Sequence, residues 1–329
     1  MPTLTLARAE THVVEALTRC RTKQSNAQAV ARGLIAAEAD GLKGHGLSRL
    51  PGYAAQAKAG KVDGFAKPVL TRPRPGLLAI DAANGFAYPA IEMAEAALLD
   101  IARQQGVAGA AIRRSHHCGA AGHPVERLAD KGLLALMFVN TPSAMAPWGG
   151  SKPVFGTNQI AFACPLPGRF PLVIDLSLSK VARGNIAAAK QRGEKIPEGW
   201  ALDAVGRPTT DPDAALAGIM LPVGDAKGIA LALMVELLAA GLTGSNFAAE
   251  ASSYLDAKGP PPGTGQLIVV FDPAAFGSNT VERFGALAAS IEAQPGARLP
   301  GARRLTARAK AKAEGVTISD ALMKEIAAL

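Results

Sequence analysis

GLLAIDA (76–82), GVAGAAI (106–112) and LLALMFV (133–139) are three short apolar segments, and the longer stretches 89–105 and 122–131 lie between them. Short apolar segments predict buried strands, whereas the stretches between them have the length of helices. Their alternation predicts a mixed α/β fold. Further strands are expected at 160–165, 172–176 and 266–272, and further helices at 179–193, 226–241 and 279–293.

Helical segments flank this region on both sides. Three helices are expected before it: over about 4–20, from Ser25 as N-cap to about Asp40, and from near His45 to before Gly60. Two more are expected at about 303–313 and 318–328. We expect 1–75 plus 280–329 to form a helical substrate and dimer subdomain, and 76–279 an α/β cofactor-binding domain. The segment AKGPPPGTG (257–265) predicts a loop that serves as a lid or a subunit contact.

The composition is that of a globular enzyme, with 329 residues of which 49% are hydrophobic and 19% charged. The three cysteines, Cys20, Cys118 and Cys164, are far apart in the chain, as is usual in a reducing compartment. No signal peptide is recognisable, and the longest apolar run, 229–242, is too short to span a bilayer. We therefore expect a cytoplasmic protein without a membrane partner.

The net charge of +8 favours anionic partners. A small anionic molecule is one such partner and a nucleic acid is the alternative. The dense basic cluster ARRLTARAKAK (302–312) lacks the aromatic side chains that stack on bases. We therefore expect no nucleic-acid partner, and keep a basic nucleic-acid-binding protein as the alternative from another functional class.

The common dinucleotide and phosphate motifs are absent, because no GxGxxG follows a predicted strand and no P-loop occurs. Two segments could bind phosphates instead. In LVIDLSLSKVARGN (172–185) hydroxyls and a lysine enter a predicted helix, and in LPVGDAKGIALAL (221–233) Lys227 lies in the first turn of another. For each segment the alternative is an ordinary turn with a solvated lysine.

His45 and Arg49 are four residues apart, which predicts that they share one face of a helix. Together they suit a small 2-keto or 2-imino acid, because arginine grips a carboxylate while histidine donates a proton beside it. The arginine charge should also lower the pKa of the imidazole. The alternative is a histidine at a helix end beside an exposed arginine.

SHHCGAAGH (115–123) follows a predicted strand and holds three histidines and Cys118. A metal site is one interpretation, but no HExxH or CxxC spacing supports it, and we expect no metal. Polar loops at the carboxyl end of a strand commonly contact ligands. The run APWGGSKPVFGTNQIAFACP (146–165) is a second candidate ligand loop, with a structural corner as its alternative.

Taken together, the chain resembles the malate/L-lactate dehydrogenases that are unrelated to the Rossmann type. This family includes ureidoglycolate dehydrogenase, diketogulonate reductase and the Δ1-piperideine-2-carboxylate/Δ1-pyrroline-2-carboxylate reductases. The matching stretches are GHGLSRLPGY (44–53), SHHCGAAGH (115–123), PWGGSKPVFGTNQIAFACP (147–165), DLSLSKVARGN (175–185), IPEGWALDAVGRPTTDP (196–212) and LPVGDAKGIALALMVELLAAGLTG (221–244). GLSRLPGY and the ending RLPGARRLTARAKAKAEGVTI (298–318) look more like the cyclic-imine reductases than the malate enzymes.

The resemblance implies a homodimer with a non-Rossmann fold, whose cofactor lies between two domains. It implies reduction of Δ1-pyrroline-2-carboxylate to L-proline or of Δ1-piperideine-2-carboxylate to L-pipecolate. Dehydrogenation of malate, lactate or ureidoglycolate on the same scaffold is the alternative.

Carried over by residue, the family's proton donor falls on His45 and its carboxylate-binding arginine on Arg49. Thr157 falls where the family contacts substrate, and His117 lies in the loop that faces the nicotinamide and is expected, with His45 and Arg49, to be catalytic. The expected cofactor contacts are His117, Asp175, Ser177, Ser179, Lys180, Ala226, Lys227, Gly301, Arg303 and Arg304.

The chain departs from the family pattern in several places. Gly44 replaces a serine that commonly precedes the catalytic histidine, Cys118 replaces a phenylalanine, and Asn185 replaces an aspartate that assists catalysis in the piperideine enzyme. NAD-using members often have Gly-Glu where Gly301 is followed by Ala302, Arg303 and Arg304. Two cations in place of a carboxylate favour a 2′-phosphate, so NADPH is expected, with NADH as the alternative.

Overall fold

The structure is a computed structural model that describes residues 2–329, without the side chain of Gln191. Its helices are α1 (Leu6–Arg19), α2 (Gln24–Ala39), α3 (Leu50–Ala59), α4 (Ala87–Gln105), α5 (Gly122–Asp130), α6 (Arg183–Arg192), α7 (Pro212–Ala217), α8 (Ala226–Glu236), α9 (Thr280–Glu292), α10 (Ala302–Glu314) and α11 (Asp320–Ala327). Its strands are β1 (Thr3–Leu4), β2 (Val69–Arg74), β3 (Leu77–Asp81), β4 (Val107–Ser115), β5 (Leu134–Val139), β6 (Gln159–Leu166), β7 (Arg169–Ser177), β8 (Ala201–Leu202), β9 (Pro208–Thr209), β10 (Ile219–Met220), β11 (Thr264–Phe271) and β12 (Val316–Thr317). None of these helices is both long and apolar enough to cross a bilayer.

A seven-stranded sheet in the order β2-β3-β4-β11-β5-β6-β7 forms the centre of the molecule. β3 and β4 are parallel and are joined through α4, whereas the other neighbouring pairs are antiparallel. The expected mixed α/β fold of non-Rossmann type is confirmed, since a Rossmann sheet is mostly parallel. Edge strand β2, which the sequence did not predict, is largely exposed and contains Pro73, which cannot donate a ladder hydrogen bond.

The two faces of the sheet carry different helices because side chains alternate along each strand. Met137 packs in one apolar core with α4 and α5, whereas the next residue, Phe138, packs with α8 on the other side. A small three-stranded sheet, β10-β8-β9, lies with α6 and α7 in this second core. Sequence patterning did not predict these two-residue strands.

The N-terminal and C-terminal segments share a further apolar core. α1, α2 and α3 pack there with Val316, Ile318 and Ile326, and β1 pairs with β12. α9 lies outside this core, because Ala288 packs instead with Leu166 at the end of β6. The boundaries of the two domains stay a prediction.

The predicted helix from His45 is wrong at its start, because α3 begins at Leu50. Two 3-10 turns, Lys43–His45 and Leu47–Arg49, precede it and are separated by Gly46. The carboxylate of Glu38 on α2 lies against this break and accepts the N–H of Leu47 at 2.9 Å. A Cβ at position 46 would lie 2.2 Å from Glu38 Oε2, so the close approach requires glycine.

Two other helix starts differ from expectation. α6 begins at Arg183 rather than at 179, because Ser179 forms a β-bridge with Pro222 and the N–H of Lys180 donates to Leu221. α2 has Lys23 rather than Ser25 as its N-cap, without a side-chain capping bond. Contacts of the preceding chain with other segments, rather than local helix propensity, determine where α6 and α2 begin.

Candidate active site

His45 and His117 form a stacked pair at the point where the helical layer meets the sheet. Their ring centroids are 5.4 Å apart and their planes differ by 3°. The turn before α3 carries His45, and the loop after β4 carries His117. His45 Nδ1 is buried without a hydrogen-bond partner in residues 2–329. The polar chemistry available to this ring is therefore at Nε2.

Arg49 lies beside both rings although the predicted helix that was to bring it there does not form. Its Nε donates to the Gly44 carbonyl at 2.6 Å, which folds the side chain back toward His45. Burial and then the Arg49 charge lower the pKa of His45 to about 4. In the described part of the chain Arg49 forms no ion pair, so its charge can attract the carboxylate of a ligand.

His117 is buried, and aromatic rings surround it. Its Nδ1 lies 2.5 Å from Tyr53 Oη, and the Tyr254 ring contacts it edge-on with centroids 5.3 Å apart. Burial, followed by the charge of Arg49, lowers the pKa of His117 well below its usual range. The imidazole is therefore neutral at physiological pH.

The segment before the predicted loop 257–265 closes one side of this pair. The ring of Tyr254 packs on both His116 and His117. Lys61, whose side chain is 1% exposed, donates to the carbonyls of Ser253 and Asp256 at 2.6 and 3.0 Å. A buried cation thus anchors the segment that covers the histidines.

Thr157 is held just before β6 by a buried polar network. Its N–H donates to Thr141 Oγ1 at 3.0 Å, and the next residue, Asn158, donates through Nδ2 to Glu236 Oε2 at 2.8 Å. Asn158 has φ +34°, a strained value that the network maintains. Sequence reasoning missed the role of Glu236, whose signal was an acidic residue within an apolar helix.

The predicted anion site around 175–180 has a different construction from the one expected. Asp175 Oδ2 accepts the N–H of Gly122, at the start of α5, at 2.8 Å. Ser177 and Ser179 share a hydrogen bond of 3.0 Å, and buried Ser179 donates to the Val181 carbonyl. Lys180 is exposed but does not enter a helix. The hydroxyl of Ser179 is therefore committed to its own turn.

The segment around Ala226 and Lys227 fits a phosphate better. Both residues are exposed in the first turn of α8, whose N-cap, Asp225, makes no side-chain capping bond. The N–H of Lys227 donates to the Gly224 carbonyl at 3.2 Å, which leaves the N–H of Ala226 and the lysine side chain as the groups suited to an anion such as a cofactor phosphate. The local construction agrees with the sequence-based prediction of an apolar helix opened by Lys227.

The expected pair of phosphate-binding arginines is divided between two roles. Arg303 is exposed, whereas Arg304 is 12% exposed and forms ion pairs with Glu126 at 2.5 Å and Asp40 at 3.4 Å. Arg308, one turn further along α10, donates to the same two carboxylates, and His123 Nε2 lies 3.1 Å from Asp40. We call these five residues, Asp40, His123, Glu126, Arg304 and Arg308, the carboxylate–arginine cluster.

Three of the departures from the family pattern, at positions 44, 118 and 185, occupy different environments. A Cβ at Gly44 would meet no atom within 4 Å, so this position has space for a side chain. Cys118 is buried, and burial raises its thiol pKa to about 12. Asn185 is exposed and lines a cavity of about 250 Å³ with Trp200, Arg192 and Lys195.

The three histidines of SHHCGAAGH do not converge. His116 Nε2 lies 2.6 Å from Gln56 Oε1, His117 contacts Tyr53, and His123 contacts Asp40. Within residues 2–329 no group of three or more His, Cys, Asp or Glu side chains could hold a metal ion.

Comparisons with known proteins agree with this architecture. The profile of the family described as malate/L-lactate dehydrogenase matches residues 4–327. The (2R)-3-sulfolactate dehydrogenase (NADP(+)) of Chromohalobacter salexigens is 52% identical over 99% of this chain and 97% of its own length. The Δ1-pyrroline-2-carboxylate/Δ1-piperideine-2-carboxylate reductase of Pseudomonas aeruginosa is 42% identical over 99% of this chain and 98% of its own.

A solved structure extends the likeness to three dimensions. The crystal structure of Δ1-piperideine-2-carboxylate reductase from Pseudomonas syringae has a TM-score of 0.93 and 38% identity, with 99% of each chain covered. The resemblance to the cyclic-imine reductases is confirmed, and the sulfolactate dehydrogenase is a more similar relative by sequence.

Proposed function

Because this chain belongs to the malate/L-lactate dehydrogenase family and is an NAD(P)-dependent oxidoreductase, we propose that it reduces cyclic 2-imino acids with NADPH. The substrates would be Δ1-pyrroline-2-carboxylate and Δ1-piperideine-2-carboxylate, and the products L-proline and L-pipecolate. The observation that carries the proposal is the stacked pair His45–His117 beside the guanidinium of Arg49, which forms no ion pair with the described residues.

The bound nicotinamide would supply a hydride to C2 of the substrate, and the side chains bind, orient and protonate. Arg49 and Thr157 hold the substrate carboxylate. His45 donates a proton from Nε2 to the ring nitrogen, or to oxygen in a keto acid. Because a carboxylate bound at Arg49 offsets its positive charge, substrate binding raises the pKa of His45 from about 4 and favours its protonated form.

NADPH is the proposed cofactor. The exposed residues Lys227 and Arg303 supply positive charge for its phosphates, and Ala226 lies at the uncapped start of α8. Arg304 is not assigned to the 2′-phosphate, because Glu126 and Asp40 already neutralise it. The remaining proposed contacts are His117, Asp175, Ser177, Lys180 and Gly301, with Ser179 supporting its turn.

We further propose that the protein acts as a homodimer. On their unburied sides, α8, the π-helical turn Leu237–Gly241 and the residue after it expose large apolar side chains: Leu231, Leu233, Met234, Leu237 and Leu242 are 38–65% exposed. Contiguous apolar surface on a soluble protein favours association with another protein surface. Sedimentation of the purified protein at micromolar concentration tests this, since a monomer would contradict it.

Interconversion of 3-sulfopyruvate and sulfolactate is the second candidate, favoured by the 52% identity to the sulfolactate dehydrogenase. That substrate carries a sulfonate as well as a carboxylate and calls for a second cation. Among the described residues, Arg49 is the cation whose charge lowers the pKa of both His45 and His117. Arg49 is therefore assigned to the substrate carboxylate, and a comparison of substrates decides whether a sulfonate also binds.

The test compares kcat/KM for the two cyclic imines, 3-sulfopyruvate, pyruvate and oxaloacetate, each with NADPH and with NADH. Higher kcat/KM for a cyclic imine with NADPH supports the proposal. Preference for 3-sulfopyruvate would replace it by the second candidate, and preference for pyruvate or oxaloacetate would move the protein to the malate/lactate branch. Equal or better efficiency with NADH would contradict the cofactor assignment.

A further inference from the structure

Behind His117 a row of buried hydroxyl groups continues away from the site. Tyr53 Oη lies 2.5 Å from His117 Nδ1 and 3.3 Å from Tyr88 Oη. Tyr53 is 1% exposed and Tyr88 is 7% exposed. Both phenols are therefore buried, and the hydrogen bonds of the row run among these three side chains.

The direction of these hydrogen bonds follows from counting donors and acceptors. Within residues 2–329 the Tyr88 hydroxyl has Tyr53 as its hydrogen-bond partner. A buried phenol proton without an acceptor is costly, so Tyr88 donates to Tyr53. Tyr53 then has its own proton left for His117 Nδ1, which must accept it. The neutral imidazole of His117 consequently carries its proton on Nε2.

We propose that Tyr53 and Tyr88 are positioning residues that hold His117 in the Nε2–H form, so that its exposed nitrogen acts as a neutral hydrogen-bond donor. This inference rests on the proposed function in one respect: the group that accepts the hydrogen bond from Nε2 would be the substrate heteroatom or the cofactor. Nε2 is the free nitrogen of the ring, because it has no partner in the described residues and is not among the buried unpaired atoms.

Two glycines show that the fold makes room for Tyr88 at this point. A Cβ at Gly33 would lie 2.1 Å from Tyr88 Cε1, and a Cβ at Gly119 would lie 2.7 Å from Tyr88 Oη. Gly119 also has φ +73°, which disfavours other residues. The phenol is thus confined between α2 and the loop that carries His117, with its hydroxyl directed at Tyr53.

The consequence is a division of roles between the two stacked rings. His117 stays neutral, because its pKa lies well below the usual range owing first to burial and then to Arg49. A neutral ring donates a hydrogen bond without repelling a proton on His45. His45, whose charge state changes with substrate in the proposed mechanism, transfers the proton.

The test uses protein labelled with ¹⁵N at its five histidines, and long-range ¹H–¹⁵N spectra that distinguish a protonated ring nitrogen from an unprotonated one. His117→Asn assigns the signals. Tyr53→Phe removes the donor to Nδ1, and Tyr88→Phe removes the group that sets its direction. Tyr254→Phe is the matched control, because it deletes a half-buried phenol hydroxyl beside His117 that bonds instead to Thr264 at 2.6 Å.

We expect the wild-type His117 to be protonated at Nε2, both tautomers to appear in Tyr53→Phe and Tyr88→Phe, and the Tyr254→Phe spectrum to match the wild type. For Tyr53→Phe we expect kcat to fall about three- to tenfold, as loss of one hydrogen bond predicts. A proton on Nδ1 of His117 in the wild type would overturn the proposal, and this measurement does not depend on the folding of any variant. An unchanged His117 tautomer in Tyr53→Phe would also overturn it. If the spectra are as predicted but the protein reduces none of the substrates, the proposed function is refuted and the role of Tyr53 and Tyr88 still holds.

Discussion

Replacement of Arg308 by methionine tests whether the carboxylate–arginine cluster holds the C-terminal helix on the active-site scaffold. Arg308 donates to Asp40 at 2.7 Å through both Nε and Nη2, and to Glu126 at 2.8 Å. The side chains of Asp40 and Glu126 are 0% and 6% exposed. Methionine keeps the apolar stem but leaves these carboxylates short of positive charge.

The expected loss is about 3 kcal/mol in the free energy of unfolding, the lower end of the range for a broken buried ion pair. The lower end applies because Arg304 still contacts both carboxylates. Burial opposes ionisation of Asp40, but hydrogen bonds from Arg308 and His123 hold its pKa well below the usual 3.8. The stabilisation by ionised Asp40 is fully present above pH 3.8 and is lost as the pH falls below this value. The difference in unfolding free energy between Arg308→Met and the wild type should therefore shrink in acid.

Urea unfolding at fixed protein concentration measures this effect through the transition midpoint. Arg303→Met is the matched control: it removes the same charge from an exposed position on α10 and should change stability by less than about 0.5 kcal/mol. A loss below about 1 kcal/mol for Arg308→Met, or an equal loss for both variants, would refute the reasoning.

Three further predictions concern the histidines and Arg49. His45→Ala should lower kcat by about 10²- to 10⁴-fold as a general acid is lost, and wild-type turnover in stopped-flow NADPH oxidation would disprove that role. Arg49→Ala should raise the substrate KM about 100-fold through loss of a charge-assisted pair, with a smaller change in kcat; an unchanged KM would exclude it from carboxylate binding. Burial lowers the pKa of His45 to about 4 and of His116 to about 3, both below the ordinary 6.5. Since these rings resist protonation in the folded state, the free energy of unfolding should fall as pH drops from 6.5 toward 4. Urea titrations at several pH values should show a smaller fall for His45→Gln than for the wild type. An equal fall in both proteins would contradict the lowered pKa of His45.

The layered α/β organisation could be predicted from the sequence because it depends on local patterning. The apolar segments 76–82, 106–112 and 133–139 correspond to β3, β4 and β5, and the stretches between them to α4 and α5. Strand pairing could not be read in the same way. β11 inserts between β4 and β5 from more than 100 residues away, and no local period specifies that partner.

The candidate site shows the same division. His45, Arg49 and the SHHCGAAGH loop could be predicted as site residues from residue type, because few side chains can bind a carboxylate or move a proton. The local geometry proposed for His45 and Arg49 was wrong, since the carboxylate of Glu38 accepts the N–H of Leu47 and interrupts the helix at Gly46. That contact joins α2 to the turn before α3, and residue spacing within a single helix cannot predict a contact between two elements.

By itself, the sequence determined which segments are apolar enough to be buried, which histidines and arginines are available, and the family to which they belong. Only the tertiary structure decided which charges remain free. Arg303 and Arg304 are adjacent and chemically alike, yet Arg304 is neutralised by Glu126 and Asp40 while Arg303 faces solvent. The same holds for His117, whose hydrogen bond to Tyr53 crosses 64 residues of chain. Electrostatic and hydrogen-bond energies depend on the distance between groups and on their burial, and position along the chain specifies neither the distance nor the burial.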